Sequence, residues 1–336
     1  MNGFVENEIS INANGGTEIA KRKLTQIIKP ELLEGTQIIS SRPRELNEEN
    51  IRIMFFHDLP NDPESAKFKD ENYRNKFHHF VFISNWQFQQ YQNFLGFEYS
   101  DKCSVIESGF EPIEVDWEAK KTDTIRFCYT STPQRGLNIL VPVFESLLKD
   151  FPAINMHLDV FSSFKIYGWD DADKQFEPLY DKIRNHPNMS YNGYVNNEEL
   201  KSYLKEAHIH AYPCTWQETS CRAMLEAMSA GLQCVHPNYA GLPDSSGSLN
   251  LMYQGDSDPN KHAAIFRDAL GFALERQKNN PVETETYLKY VKNYTDNRYD
   301  IKKIKAQWEH LLFKLHKQYP TIESRKIPSN MFIYRT

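Results

Sequence analysis

Short apolar runs recur along the chain: RIMFFHD (52–58), HFVFISN (79–85), SVIESGF (104–110), TIRFCYT (124–130), NMHLDVFS (155–162), MSYNGYV (189–195), HIHAYPC (208–214) and QCVHP (233–237). Between them lie GTEIAKRKLTQIIK (16–29), WQFQQYQNFLG (86–96), GLNILVPVFESLLKDF (136–151), NEELKSYLKEA (197–207) and WQETSCRAMLEAMSAG (216–231), whose apolar positions return at helical spacing. Strand-like and helical segments that alternate in this way predict parallel α/β layers. The stretch EPIEVDWEAKKTDT (111–124) is charged and carries Pro112, so it reads as a linker, and the α/β pattern restarts after it. The boundaries that follow are 1–115 for a small N-terminal Rossmann-like domain, 116–298 for a second such domain and 299–336 for a helical tail. From about residue 296 the tail places Ile301, Ile304, Trp308, Leu311 and Leu312 on one side of an amphipathic helix, which predicts that it packs back across the domains. Two doubly wound domains would turn their strand C-termini and helix N-termini toward one cleft, where ligands of such folds bind.

Composition narrows the class. A chain of 336 residues with 40% hydrophobic and 13% aromatic content is long enough for two domains with their own cores. Its net charge of -6 argues against nucleic acid as the main partner, because a phosphate backbone demands a basic surface. The five cysteines, at 103, 128, 214, 221 and 234, form no CxxC pair and no metal-ligand spacing, which suits free thiols in a reduced intracellular setting and no structural metal. No run of 18 apolar residues occurs and MNGFVENEIS lacks a signal-peptide core, so the expectation is a cytoplasmic chain, soluble or peripheral to a membrane. Asp170 and Asp171 in YGWDDADKQ read as a solvated loop, not a site for a divalent ion. The oligomeric state is not legible.

One stretch places charge where apolar packing is expected. In WQETSCRAMLEAMSAG, Thr219 and Ser220 are good N-caps and Gly231 is a helix stop, which predicts a helix of about ten residues. Ala223, Met224, Leu225, Ala227 and Met228 surround Glu226 on most of that helix's circumference. A carboxylate there must be paired or hydrogen-bonded. Its partner is either a structural cation or a ligand.

Three further polar elements follow strands or open helices. Gly15 and Gly16, in NANGGTEIAKRKL, make either a plain turn or a helix start whose bare N–H groups face an anion. Arg135 and Gly136, in FCYTSTPQRGLNIL, begin a helix where a guanidinium can fork onto a diphosphate or simply be solvated. His57 and Asp58 end the strand MFFHD, where a neutral imidazole can exchange a proton with a sugar hydroxyl or serve as a structural cap.

The order of these elements resembles the retaining GT-B glycosyltransferases of the glycosyltransferase family 4 (group 1) kind. Glu218 and Glu226 form a Glu-x7-Glu pair preceded by AYPCTWQ and followed by AMSAG; TSTPQRGLNIL looks like the family's phosphate loop, YNGYVNNEELKSYLKEAHIHAYP like its nucleoside-side segment, and GLQCVHPNYAGLPD like the strand and loop after the motif. The resemblance implies a GT-B fold, two Rossmann-like domains facing a cleft with the first one reduced, and transfer of a sugar, such as a hexose, from a UDP- or GDP-sugar to a glycan, lipid-linked or protein-linked acceptor without a metal. It implies that Glu226 holds the ribose hydroxyls, that Glu218 stands beside the donor sugar, and that Val195 lies near the base. Arg135 and the N–H groups of Thr219, Ser220 and Cys221 would neutralise the diphosphate, with Gly16 capping it from the first domain. The phosphate loop has Ser131 and Thr132 where a second basic residue is usual, and Cys221 stands at a position usually glycine. Alternatives of the same architecture are a sugar-nucleotide epimerase and a non-catalytic nucleotide-sugar-binding protein.

Overall fold

The structure is a computed structural model that describes residues 15–43 and 45–326. The polar N-terminal stretch, with Asn12 to Asn14 of the glycine loop, and the end of the tail lie outside the described residues. The chain divides into two compact α/β units. The first comprises Gly15–Gly109 and the chain from Ile301 onward, and the second comprises Phe110–Asp300.

In the first unit four parallel strands, β1 (Thr36–Ser40), β2 (Ile51–Phe56), β3 (His79–Phe82) and β4 (Cys103–Val105), lie in their sequence order. Side chains alternate across the sheet. Ile38, Ile53, Phe55 and Val81 pack on one face with Leu24 of the helix Gly16–Ile27. Ile39, Met54, Phe56, Phe80 and Phe82 pack on the other with Phe68, Phe77, Tyr91 and Phe97. Both faces are covered, which is why β2 is buried along its whole length and apolar at every position but Arg52.

The amphipathic tail belongs to this unit. In the helix Ile301–Gln318, Ile304, Trp308, Leu311, Leu312 and Leu315 complete the core on the Ile38 face, with the Trp308 ring 5.1 Å from that of Phe55. Its apolar stripe is thus a layer of the first sheet, and not a separate tail. The charged stretch after Gly109 likewise belongs to the second unit, whose core buries Phe110 and Ile113.

The second unit holds six parallel strands: β5 (Thr124–Tyr129), β6 (Asn155–Val160), β7 (Met189–Tyr191), β8 (Ile209–Ala211), β9 (Gln233–Pro237) and β10 (Leu251–Tyr253). Their spatial order is β10-β9-β8-β5-β6-β7. The chain builds outward from β5 to β7, then crosses back to lay β8 against the free edge of β5, pairing Phe127 with Ile209 and Cys128 with His210. Strand order therefore reverses between β5 and β8. In open parallel sheets the crevice for a ligand opens at that reversal, beyond the carboxyl ends of the two strands.

Some elements differ from the expectations. Of SVIESGF only the first two residues are strand, as the end of β4 (Cys103–Val105), and β1 and β10 were not foreseen, because runs this short carry little periodic signal. Two long helices, Pro259–Asn279 and Pro281–Arg298, precede the tail helix, and each begins at a proline in its first position. The helix after Glu218 runs from Arg222 to Ser229, and its N-cap is Cys221 with no side-chain cap bond. Thr219 and Ser220 are not caps. The Gly241 amide donates to the Glu218 carbonyl at 2.9 Å, which holds this segment against the next loop until the helix begins.

Candidate functional site

Two loops meet at the reversal. The one after β5 runs through a tight turn, Pro133–Arg135, to Gly136, which caps the helix Leu137–Asp150. Gly136 has φ +116°, and a Cβ there would lie 2.2 Å from the carbonyl oxygen of Pro213 in the loop after β8. Only glycine permits both that backbone conformation and that approach. The two loops are thereby locked together, and their functional side chains meet.

Arg135 Nη1 donates to Glu218 Oε1 at 2.6 Å, and Tyr212 Oη donates to the same oxygen at 2.6 Å. Glu218 is 6% exposed. Arg135 also lies 5.8 Å from the ring of Trp216, and its Nη2 is 3.5 Å from Tyr167 Oη. Burial pulls the Arg135 guanidinium down, but Glu218, joined by Tyr212, Tyr167 and Cys214, outweighs it and holds the group well above the usual arginine range, so it is cationic at any working pH. Burial, followed by Cys214 and Glu218, pushes the Tyr212 phenol far up, so it remains a donor. Three atoms of the β5 loop, Thr132 Oγ1, Gln134 Oε1 and Arg135 Nε, are buried without hydrogen-bond partners among the described residues. Thr132 Oγ1 and Arg135 Nε can donate, a chemistry suited to an anion, whereas Gln134 Oε1 can only accept.

Glu226 is 6% exposed and accepts from Arg222 Nε at 2.9 Å, one helical turn earlier. Its partner in the structure lies within the same helix, in an i,i+4 ion pair. Val195 lies in the loop after β7, immediately before Asn196, whose side chain caps the helix Asn197–Glu206. Thr219, Ser220 and Cys221 form the segment that leads from Glu218 into the helix carrying Glu226.

Gly15, Gly16 and His57 belong to the first unit. Gly15 is the N-cap of the helix Gly16–Ile27, with no side-chain cap bond, and a Cβ on Gly16 would meet nothing within 4 Å. His57 follows β2 at the carboxyl edge of the first sheet, its ring 4.1 Å from that of Phe55. Burial pushes its imidazole down to about 3, so it is neutral. Asp58 beside it is pushed up by burial.

Sequence reasoning passed over Tyr212, Trp216 and Arg222. Arg222 had a readable signal, its position four residues before Glu226. Tyr212 and Trp216 had none, since an aromatic beside a strand end is usually core. Asp170 is exposed, and so is Asp171, which pairs with Lys174 at 2.7 Å. Among the described residues no group of three or more His, Cys, Asp or Glu side chains converges. All five cysteines are free thiols.

Comparison with known proteins follows the same lines. Residues 131–270 match the family model of glycosyl transferases group 1, a segment that runs from the β5 loop into the helix Pro259–Asn279. No curated protein matches the chain. Among solved structures, the glycosyltransferase from Rickettsia africae is similar at a TM-score of 0.66 and 13% identity, over 92% of this chain and 85% of that one. Sucrose-phosphate synthase from Thermosynechococcus elongatus is similar at 0.62 and 15%, over 84% and 74%. HepE from Anabaena, solved in complex with UDP-glucose, is similar at 0.59 and 13%, over 88% and 81%. At these identities the likeness is one of fold: this chain has the GT-B architecture of two Rossmann-like α/β units, and its second unit carries the group 1 glycosyl transferase match.

Proposed function

We propose that the protein moves a sugar from a nucleotide diphosphate sugar, carried by UDP or GDP, to an acceptor hydroxyl on a glycan, lipid-linked or protein-linked substrate, with retention of configuration. The observation that carries this reading is the Arg135–Glu218 pair at the strand-order reversal, inside the segment matching group 1 glycosyl transferases. Breaking a glycosyl–phosphate bond builds positive character on the sugar and negative charge on the departing diphosphate. A fixed cation at the diphosphate therefore stabilises the transition state more than the ground state.

In this reading Arg135 takes the diphosphate together with N–H groups of Thr219, Ser220 and Cys221. Glu218 stands beside the donor sugar, Glu226 holds the ribose hydroxyls and Val195 lies near the base. Gly15, Gly16 and His57 serve from the acceptor-side unit, where a neutral imidazole is suited to exchange a proton with a hydroxyl. The UDP-glucose complex of the similar HepE structure supports UDP-sugars as the first donors to try.

The test is a thermal-shift screen of UDP- and GDP-sugars, followed by donor hydrolysis and transfer assays with and without EDTA. One nucleotide class should stabilise the protein, and turnover should persist in EDTA because Arg135 supplies the charge. Loss on chelation, restored by manganese or magnesium, would refute the metal-free part. Binding without turnover would favour a nucleotide-sugar-binding protein, a reading supported by the mutual neutralisation of Arg135 and Glu218.

A further inference from the structure

Glu218 is held by two donors on one oxygen. Arg135 Nη1 and Tyr212 Oη both reach Oε1 at 2.6 Å, while Oε2 accepts no hydrogen bond among the described residues. Tyr212 is 0% exposed, and its hydroxyl is 3.4 Å from Ser131 Oγ in the β5 loop. Packing alone would be served as well by phenylalanine. The hydroxyl makes a difference only through Glu218 and Ser131.

On the transferase reading above, on which this inference rests, the donor diphosphate competes with Glu218 for the Arg135 guanidinium. A carboxylate this buried would lose its cation as the ligand arrives, at a cost too large to leave uncompensated. A neutral donor that remains in place meets that need without itself attracting the diphosphate away from Arg135. We infer that Tyr212 is a positioning residue for Glu218: its phenol keeps Oε1 anchored while Arg135 turns to the diphosphate, so that Oε2 stays presented to the donor sugar.

Kinetics of Tyr212→Phe test this with the UDP- or GDP-sugar that the wild type turns over. The rate at saturating donor should fall by about tenfold or more while the donor KM changes by less than about threefold, because the lost interaction acts after binding. In a Glu218→Gln background the same substitution should change the rate by less than about twofold, since residues acting as a unit are not additive. An unaltered rate in Tyr212→Phe, or an equal loss in both backgrounds, overturns the inference while leaving the transferase reading intact. A wild type that turns over no sugar nucleotide refutes the reading itself. A crystal structure of the wild type with UDP tests the same idea without a variant. The Tyr212–Glu218 hydrogen bond should persist as the Arg135–Glu218 separation grows, and a complex in which the phenol leaves the carboxylate overturns the assignment.

Discussion

Arg135 and Glu218, 83 residues apart in the chain, form a 2.6 Å ion pair between the loops that follow β5 and β8. The pair is only partly accessible, with side chains 21% and 8% exposed, so neither charge is well solvated. Removing one partner therefore affects both folding and chemistry. Arg135→Ala should destabilise the second unit by about 3 kcal/mol, the cost of leaving a buried carboxylate with only a neutral donor. It should also lower turnover by about two to three orders of magnitude. Lysine should restore part of each, being a point charge without the fork. Activity of the alanine variant within a few fold of wild type would remove Arg135 from the mechanism.

Glu226 separates a ligand role from a structural one. Its carboxylate already pairs with Arg222, yet it lies on the first helix after Glu218. Glu226→Ala should weaken UDP binding by about 2 to 3 kcal/mol, the worth of charge-assisted hydrogen bonds to ribose hydroxyls. Calorimetric titration with UDP measures it, and Arg222→Ala should have a smaller effect on the same titration. An unchanged UDP affinity with a collapsed melting temperature would assign Glu226 to the ion pair alone.

Two glycines should respond in opposite ways. Gly136→Ala forces a Cβ to within 2.2 Å of a backbone oxygen from a left-handed conformation, so the loops carrying Arg135 and Glu218 must separate. A loss of about 2 kcal/mol or more in stability, together with lost UDP binding, is expected. A side chain at Gly16 has open space, so Gly16→Val should fold as wild type. If the Gly16 backbone approaches the diphosphate, this variant retains UDP affinity and loses transfer; unchanged transfer would make the Gly15–Gly16 segment an ordinary helix start.

Acid should unfold the protein through its buried histidines. Burial pushes His57 and His210 down to about 3, and His236 down to about 4, from the ordinary 6.5; for His210 the neighbouring His236 adds to the effect. Each folded-state value lies below the unfolded one, so as pH falls the unfolded chain takes up the proton first. The stability these neutral imidazoles confer is complete above pH 6.5 and is lost as pH falls from there toward 4 for His236 and toward 3 for His57 and His210. The slope is at most about 1.4 kcal/mol per pH unit for each histidine. Urea midpoints measured between pH 8 and pH 5 should fall on the acid side, and a flat profile would contradict this burial.

Much of the architecture was legible because it is local. The strand runs and helical spacings marked eight of the ten strands among the described residues, and TSTPQRG and Glu-x7-Glu marked the loops that carry Arg135 and Glu218. The apolar stripe through Ile304, Trp308 and Leu312 likewise announced a packed helix. Its partner was not announced, since a stripe states how much surface must be buried and not which surface will cover it. The start of the helix at Arg222 also escaped, because the segment before it is tied at Glu218 by the amide of Gly241, far along the chain.

What the amino-acid sequence determined by itself was the set of parts: α/β layers, loop chemistry at strand ends, a buried carboxylate on a short helix, and a glycine at position 136. Tertiary structure decided which parts meet. The return of β8 to the edge of β5 is a long-range choice, and it brings Arg135 to the Glu218 oxygen that Tyr212, six residues away in the same loop, already holds. Local periodicity records only neighbours within a turn or a strand, so a contact made by sheet order leaves no pattern in it.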